Sequence, residues 1–244
     1  MKNLLKTAVV TATFVASFAA IAAAAWFFPA IAADIPVKAE RPAATYYFSW
    51  SGLYIGGYGM YGANFGQAVT TDVETPLNLS SIPHGAGIGA ELGYLTDLRP
   101  FVIGVKADWA FANMTASGNV ANVLSLSNAT SYLGDVNAIL GLPLTPDGRL
   151  LGYLTGGFAF GGAKPSLNVA GLAAAANDTS TGWDIGGGLR YMLPGDHLWI
   201  GIEGDYYKLG DKSIAATLAD GTPLVTSTAK YDIFVQKVAI GWKF

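Results

Sequence analysis

From Trp50 onward, apolar and polar residues alternate with a period of two. In 101–111, FVIGVKADWAF, the odd positions Phe101, Ile103, Val105, Ala107, Trp109 and Phe111 are apolar, whereas the even ones include Gly104, Lys106 and Asp108. A helix would scatter Lys106 and Asp108 over unrelated faces; a strand places both on one. In 183–193, Trp183, Ile185, Gly187, Leu189, Tyr191 and Leu193 oppose Asp184, Gly186, Gly188, Arg190 and Met192. In 198–206, Leu198, Ile200, Ile202, Gly204 and Tyr206 oppose Trp199, Gly201, Glu203 and Asp205. The last segment sets Phe234, Val238, Ile240, Trp242 and Phe244 against Lys237, Gly241 and Lys243, with Gln236 breaking its apolar set. Eight strand-like stretches emerge, at 50–63, 84–96, 100–113, 130–144, 149–162, 181–194, 198–210 and 230–244. Eight antiparallel strands suffice to close a barrel.

The connections alternate in length. Thr96-Asp97-Leu98-Arg99, Thr145-Pro146-Asp147-Gly148 and Pro194-Gly195-Asp196-His197 read as tight turns, built from residues suited to turn geometry. Between them lie long polar links near 64–83, 114–129, 163–180 and 211–229. Short turns at one end and long loops at the other are the pattern of outer-membrane barrels, with the turns in the periplasm and the loops outside.

Composition supports that reading. Only 13% of the 244 residues are charged and 52% are hydrophobic, against roughly 25% charged in an ordinary soluble domain. The mean hydropathy is positive, yet beyond Trp50 no uninterrupted apolar run reaches the eighteen or so residues of a membrane helix. The two facts agree for strands that show every second residue to lipid. A soluble barrel would carry its charged face outside. The net charge of -3 removes the electrostatic footprint of a nucleic-acid binder. The absence of cysteine excludes disulfides, thiolate nucleophiles and Cys-ligated metals.

Residues 1–33 read as a secretory signal peptide: Lys2 and Lys6, then an uncharged stretch from Thr7 to Ala33, ending in the small residues Ala30-Ile31-Ala32. Cleavage is expected after Ala32 or Ala33. The competing reading is an N-terminal membrane anchor. Residues 34–49, with two prolines and no periodicity, read as an extended periplasmic linker, and 50–244 as the barrel.

An eight-stranded barrel is just wide enough to be filled by side chains. Alternation places Glu91, Lys106, Asp108, Asp135, Asn137, Asp184, Arg190, Glu203, Asp205 and Lys237 inside as a mixed-sign network, with Lys243 near the rim. Each of these charges is costly if unpaired. Lys106 and Arg190 are the expected anchors. An aromatic girdle is expected at headgroup depth: Trp50, Tyr94, Tyr191 and Trp242 towards the periplasm, and Trp109, Phe111, Trp183, Tyr206 and Tyr231 towards the outside.

The mature start ADIPVKA, the stretch FSWSGLYIGGYGMYG at 48–62 and the terminal AIGWKF at 239–244 resemble the small outer-membrane immunogenic proteins of alphaproteobacteria. These are OmpA-like, eight-stranded, porin-like surface antigens. The resemblance spans the mature chain, and its two ends are the specific part. It implies an all-β antiparallel transmembrane barrel in the outer membrane, set in lipid and lipopolysaccharide and delivered by periplasmic chaperones. It also implies that Phe244 is the aromatic insertion signal read by the barrel-assembly machinery. The Ala- and Ser-rich loops depart from many relatives, so a shared loop-borne activity does not carry over.

Other motifs weigh little. Gly57-Tyr58-Gly59-Met60-Tyr61-Gly62 satisfies G-x-G-x-x-G, but no helix pattern follows it. Catalysis by a histidine-activated serine would have to use His84, near Ser80 and Ser81, or His197 in a turn, and no third orienting residue has a defined spacing. No catalytic, cofactor or metal residues are therefore assigned. The expected function is a non-enzymatic envelope barrel with surface-antigen loops. The alternatives are a small porin, or an adhesin whose outer loops, including SLNVAGLAAAA at 166–176, meet host or other cell surfaces.

Overall fold

The computed structural model describes residues 48–66, 68–71, 82–120, 124–169, 172–175, 178–217 and 223–244. The stretch read as a signal peptide, 1–33, and the part of the stretch read as a linker up to residue 47 lie outside the described residues.

The strands are β1 (Gly52–Asn64), β2 (Ala68–Thr71), β3 (His84–Leu98), β4 (Phe101–Val120), β5 (Leu124–Pro143), β6 (Leu150–Val169), β7 (Leu172–Ala175), β8 (Asp178–Met192), β9 (Leu198–Thr217) and β10 (Pro223–Lys243). Eight of them pair antiparallel in the order β1-β3-β4-β5-β6-β8-β9-β10, and β1 pairs again with β10. The chain is thus a closed eight-stranded barrel, and closure removes the free edges an open sheet would expose. The four-residue β2 and β7 add to β10 and β6 on the long-loop side.

The alternation holds around the wall. Ile88, Leu92, Val105, Phe111, Leu140, Leu154, Ile185, Ile202, Val238 and Ile240 are all exposed on the outer face. Their strand neighbours point inward. The inward apolar residues gather into two clusters. One includes Trp50, Tyr54, Leu95, Val102, Leu151, Met192 and Trp199, on the short-turn side. The other includes Met60, Met114, Leu133, Leu209, Tyr231, Ile233 and Val235, on the long-loop side.

Three features differ from the sequence reading. The links at 114–129, 163–180 and 211–229 are largely strand: Met114–Val120 pairs with Leu124–Thr130, and β6, β9 and β10 run equally far. Apart from Leu124-Ser125-Leu126-Ser127, their Ala-, Ser-, Thr- and Asn-rich stretches carry little hydrophobic alternation, so a ladder held by backbone hydrogen bonds leaves a weak periodic signal there. The first turn is Arg99–Pro100, not 96–99, because Thr96, Asp97 and Leu98 still pair with Ile103, Val102 and Phe101. Finally, Phe48 and Ser49, read as linker, belong to the barrel floor. The Phe48 amide donates to the Asp147 carbonyl at 2.9 Å and Ser49 Oγ donates to Asp97 Oδ2 at 2.7 Å.

Candidate functional site

Between the two apolar clusters lies a polar layer. All ten residues assigned inward by alternation are buried: Glu91, Lys106, Asp108, Asp135, Asn137, Asp184, Arg190, Glu203, Asp205 and Lys237. Strand register brings them together. Glu91 of β3 stands opposite Asp108 of β4, and Asp108 opposite Asp135 of β5. Lys106 stands opposite Asn137, and Glu203 of β9 opposite Lys237 of β10.

The three bases hold the layer in two groups. Arg190 Nη2 donates to both oxygens of Glu91, at 3.0 and 2.8 Å. Its guanidinium lies 4.5 Å from the ring centre of Tyr54, 5.0 Å from that of Tyr153 and 4.5 Å from that of Trp199, a cage of ring faces suited to a cation. In the second group, Lys106 donates to Glu203 and, at 3.2 Å, to Asp108. Lys237 Nζ sits 2.8 Å from Asp108, 2.8 Å from Asp205, 3.3 Å from Glu203 and 3.7 Å from Asp135.

Lys237, rather than Lys106, is therefore the hub. Tilted strands in a closed barrel bring β10 across from β4 and β5, a proximity with no counterpart in linear spacing. The tyrosines were also missed. Tyr58 donates to Asp108 at 3.1 Å, Tyr153 to Glu203 at 2.8 Å and Tyr207 to Asp135 at 2.7 Å. Their signal was available, since each shares the inward parity of its strand.

The nine residues expected in an aromatic girdle divide between the two faces of the wall. Tyr94, Trp109, Phe111, Trp183, Tyr191 and Trp242 are exposed on the outer wall, and Tyr206 is half-buried with its hydroxyl on Asp232 at 3.0 Å. Trp50 and Tyr231 are corrections, being only 2% and 1% exposed. Trp50 has the parity of Tyr54 and Tyr58, and its indole donates inward to the Gly148 carbonyl at 2.8 Å. Tyr231 has the parity of Ile233 and Val235, so the pleat turns it inside. The terminal Phe244 is exposed, and its amide donates to the Leu53 carbonyl at 2.9 Å, locking the chain end onto β1.

Neither histidine joins a catalytic set among the described residues. Exposed His84 contacts the Ile82 carbonyl through Nδ1 at 2.9 Å, and Ser80 and Ser81 lie outside the described residues. His197 contacts the Lys243 carbonyl through Nδ1 at 2.8 Å and stacks on Trp242.

A closed barrel with an apolar exterior and a filled, charged interior is an integral membrane β-barrel of the smallest size class. Comparison with known proteins makes this specific. Residues 10–244 match the family described as outer membrane protein beta-barrel domain. The chain is 30% identical over 181 residues to the 31 kDa outer-membrane immunogenic protein of Brucella melitensis, covering 67% of this chain and 75% of that protein. The same figures hold for its counterpart from Brucella suis. Among solved structures, the outer membrane protein OprG from Pseudomonas aeruginosa superposes with a TM-score of 0.58 at 12% identity, over 81% of this chain and 98% of that one. At that identity the likeness is one of fold. The chain belongs to the outer membrane protein β-barrel family and is an outer-membrane protein.

Proposed function

We propose that the protein is a non-enzymatic, non-conducting structural barrel of the outer membrane that presents surface-antigen loops. The single observation carrying this reading is the filled lumen: an ion-paired layer closed on either side by an apolar cluster. An ion crossing it would have to displace buried salt bridges and pass Trp50 and Trp199 on one side and Met114 and Tyr231 on the other. The surface-antigen part is supported by the immunogenic Brucella relatives, whose name describes that property of those proteins. Export through the segment at 1–33, setting in lipid and lipopolysaccharide, delivery by periplasmic chaperones and recognition of Phe244 by the barrel-assembly machinery belong to the same reading.

The test is single-channel recording in planar bilayers, with protein whose heat-dependent gel mobility shows a folded barrel. The expected result is silence, with the functional search moving to the loops. Discrete, reproducible conductance steps would overturn the sealed reading in favour of a small porin.

A further inference from the structure

The interior charges do not balance. Six buried carboxylates face three bases, and the ion pairs of those bases go to Glu91, Asp108, Asp135, Glu203 and Asp205. Asp184 has no ion pair among the described residues, although it is only 2% exposed. Its Oδ2 accepts from Asn137 Nδ2 at 2.6 Å, while its Oδ1 has no partner.

The strand register shows what surrounds that oxygen. Asn137 of β5, Gly157 of β6 and Asp184 of β8 form one row across the inner wall. The adjacent row, one inward position along, is Thr155 of β6, Gly186 of β8 and Asp205 of β9. Each row has a glycine at its centre and an oxygen-bearing side chain on either side. A Cβ on Gly157 would collide with the Val136 carbonyl and lie 2.5 Å from Asn137 Oδ1, and one on Gly186 would collide with Asp205 Oδ1. The glycines thus make room for oxygens that lean over them. Asn137 Oδ1, Thr155 Oγ1, Asp184 Oδ1 and Asp205 Oδ1 are all buried and all lack a hydrogen-bond partner. Those residues are between 0% and 4% exposed, and buried polar atoms are rarely left unpaired.

We propose that these two rows form a binding site for a monovalent cation inside the barrel wall. Carboxylate, amide and hydroxyl oxygens together are the donor set of a hard cation. Of the two carboxylates in these rows, Asp205 is already paired with Lys237 at 2.8 Å, which leaves one negative charge and suits a single positive charge better than a divalent ion. A water would satisfy the oxygens, whereas a monovalent cation would also offset the cost of burying Asp184 as a carboxylate. The site is independent of whether the barrel conducts.

The direct test uses crystals of the folded barrel grown with thallium(I) as the only monovalent metal cation, read by anomalous scattering. The expected result is a peak against Asp184 Oδ1, lost in Asp184→Asn. Water density there without anomalous signal, or a peak elsewhere in the interior, overturns the proposal. A solution test refolds the protein in sodium, potassium or tetramethylammonium chloride at equal ionic strength. At a hundredfold excess over its dissociation constant, the bound cation lowers the unfolding equilibrium constant about 100-fold relative to tetramethylammonium. Asp184→Asn removes that difference, and Thr155→Val, which leaves the charges untouched, weakens it and serves if Asp184→Asn does not fold. An unfolding midpoint that is the same in all three salts refutes the site.

Discussion

Replacing Arg190 with Met removes the guanidinium while keeping much of its length, and the structure indicates what that costs. The side chains of Arg190 and Glu91 are 3% and 4% exposed, so solvent screens their interaction little. Truncation abolishes the two hydrogen bonds from Nη2 and three ring-face contacts, and strands Glu91 as an unpaired buried carboxylate. Breaking one side of a buried pair typically costs about 3–5 kcal/mol, largely because the orphaned charge stays behind. Against a total stability on the order of 5–15 kcal/mol, that is a large fraction. If the cost lies in the orphan, removing it should restore stability. The double variant Arg190→Met with Glu91→Leu is therefore expected to recover most of the loss, since an apolar replacement of a whole buried pair is often neutral. Urea unfolding in detergent micelles, followed by tryptophan fluorescence and gel mobility, measures all four members of the cycle. An unchanged midpoint for Arg190→Met, or a double variant no more stable than the single one, would refute the reasoning.

Three further outcomes follow from the same geometry. Lys237→Met should destabilise the barrel more than Lys106→Met in the same unfolding assay, because Lys237 faces four carboxylates and Lys106 two; equal midpoints would remove the hub assignment. Gly241→Ala should cost roughly 1–3 kcal/mol by overpacking, as its methyl would collide with the Trp199 ring and the Ile55 carbonyl. Gly59→Ala, with open space around it, should stay within about 0.5 kcal/mol of wild type. In vesicles of brominated lipid, single-tryptophan variants retaining Trp109, Trp183 or Trp242 should be strongly quenched, and those retaining Trp50 or Trp199 should not, because the first three are exposed on the outer wall and the last two are buried inside.

Where lipid and a filled lumen impose opposite demands on successive residues, the fold was legible. Lys106 and Asp108 alternating with Val105, Ala107 and Trp109 could only be a strand with two different faces. The same parity rule, applied through to the end of β10, would have turned Tyr231 inward. Beyond the apolar band the constraint weakens, and β4 and β5 continue through Ala, Ser, Thr and Asn with only the short Leu124-Ser125-Leu126-Ser127 alternation to betray them. The polar layer was legible as a set of residues but not as a set of pairs. Which carboxylate meets Lys237 depends on tilt and closure, and these bring residues of β4, β5 and β9 to one ammonium.

The unequal strand lengths fix how far the barrel wall extends past the membrane on its long-loop side. A twenty-residue strand such as β4 is about 66 Å long at about 3.3 Å per residue. Tilted by roughly 40°, it rises about 50 Å, twice the roughly 25 Å apolar band of such a barrel. β5, β6, β9 and β10 match it, whereas β1, β3 and β8 are shorter. The result is a lopsided parapet of paired strands that extends about 20 Å clear of the lipid on the long-loop side. On the proposed surface-antigen reading, an antibody or a neighbouring cell would meet that raised wall first, while the membrane-level strands stayed screened beneath it.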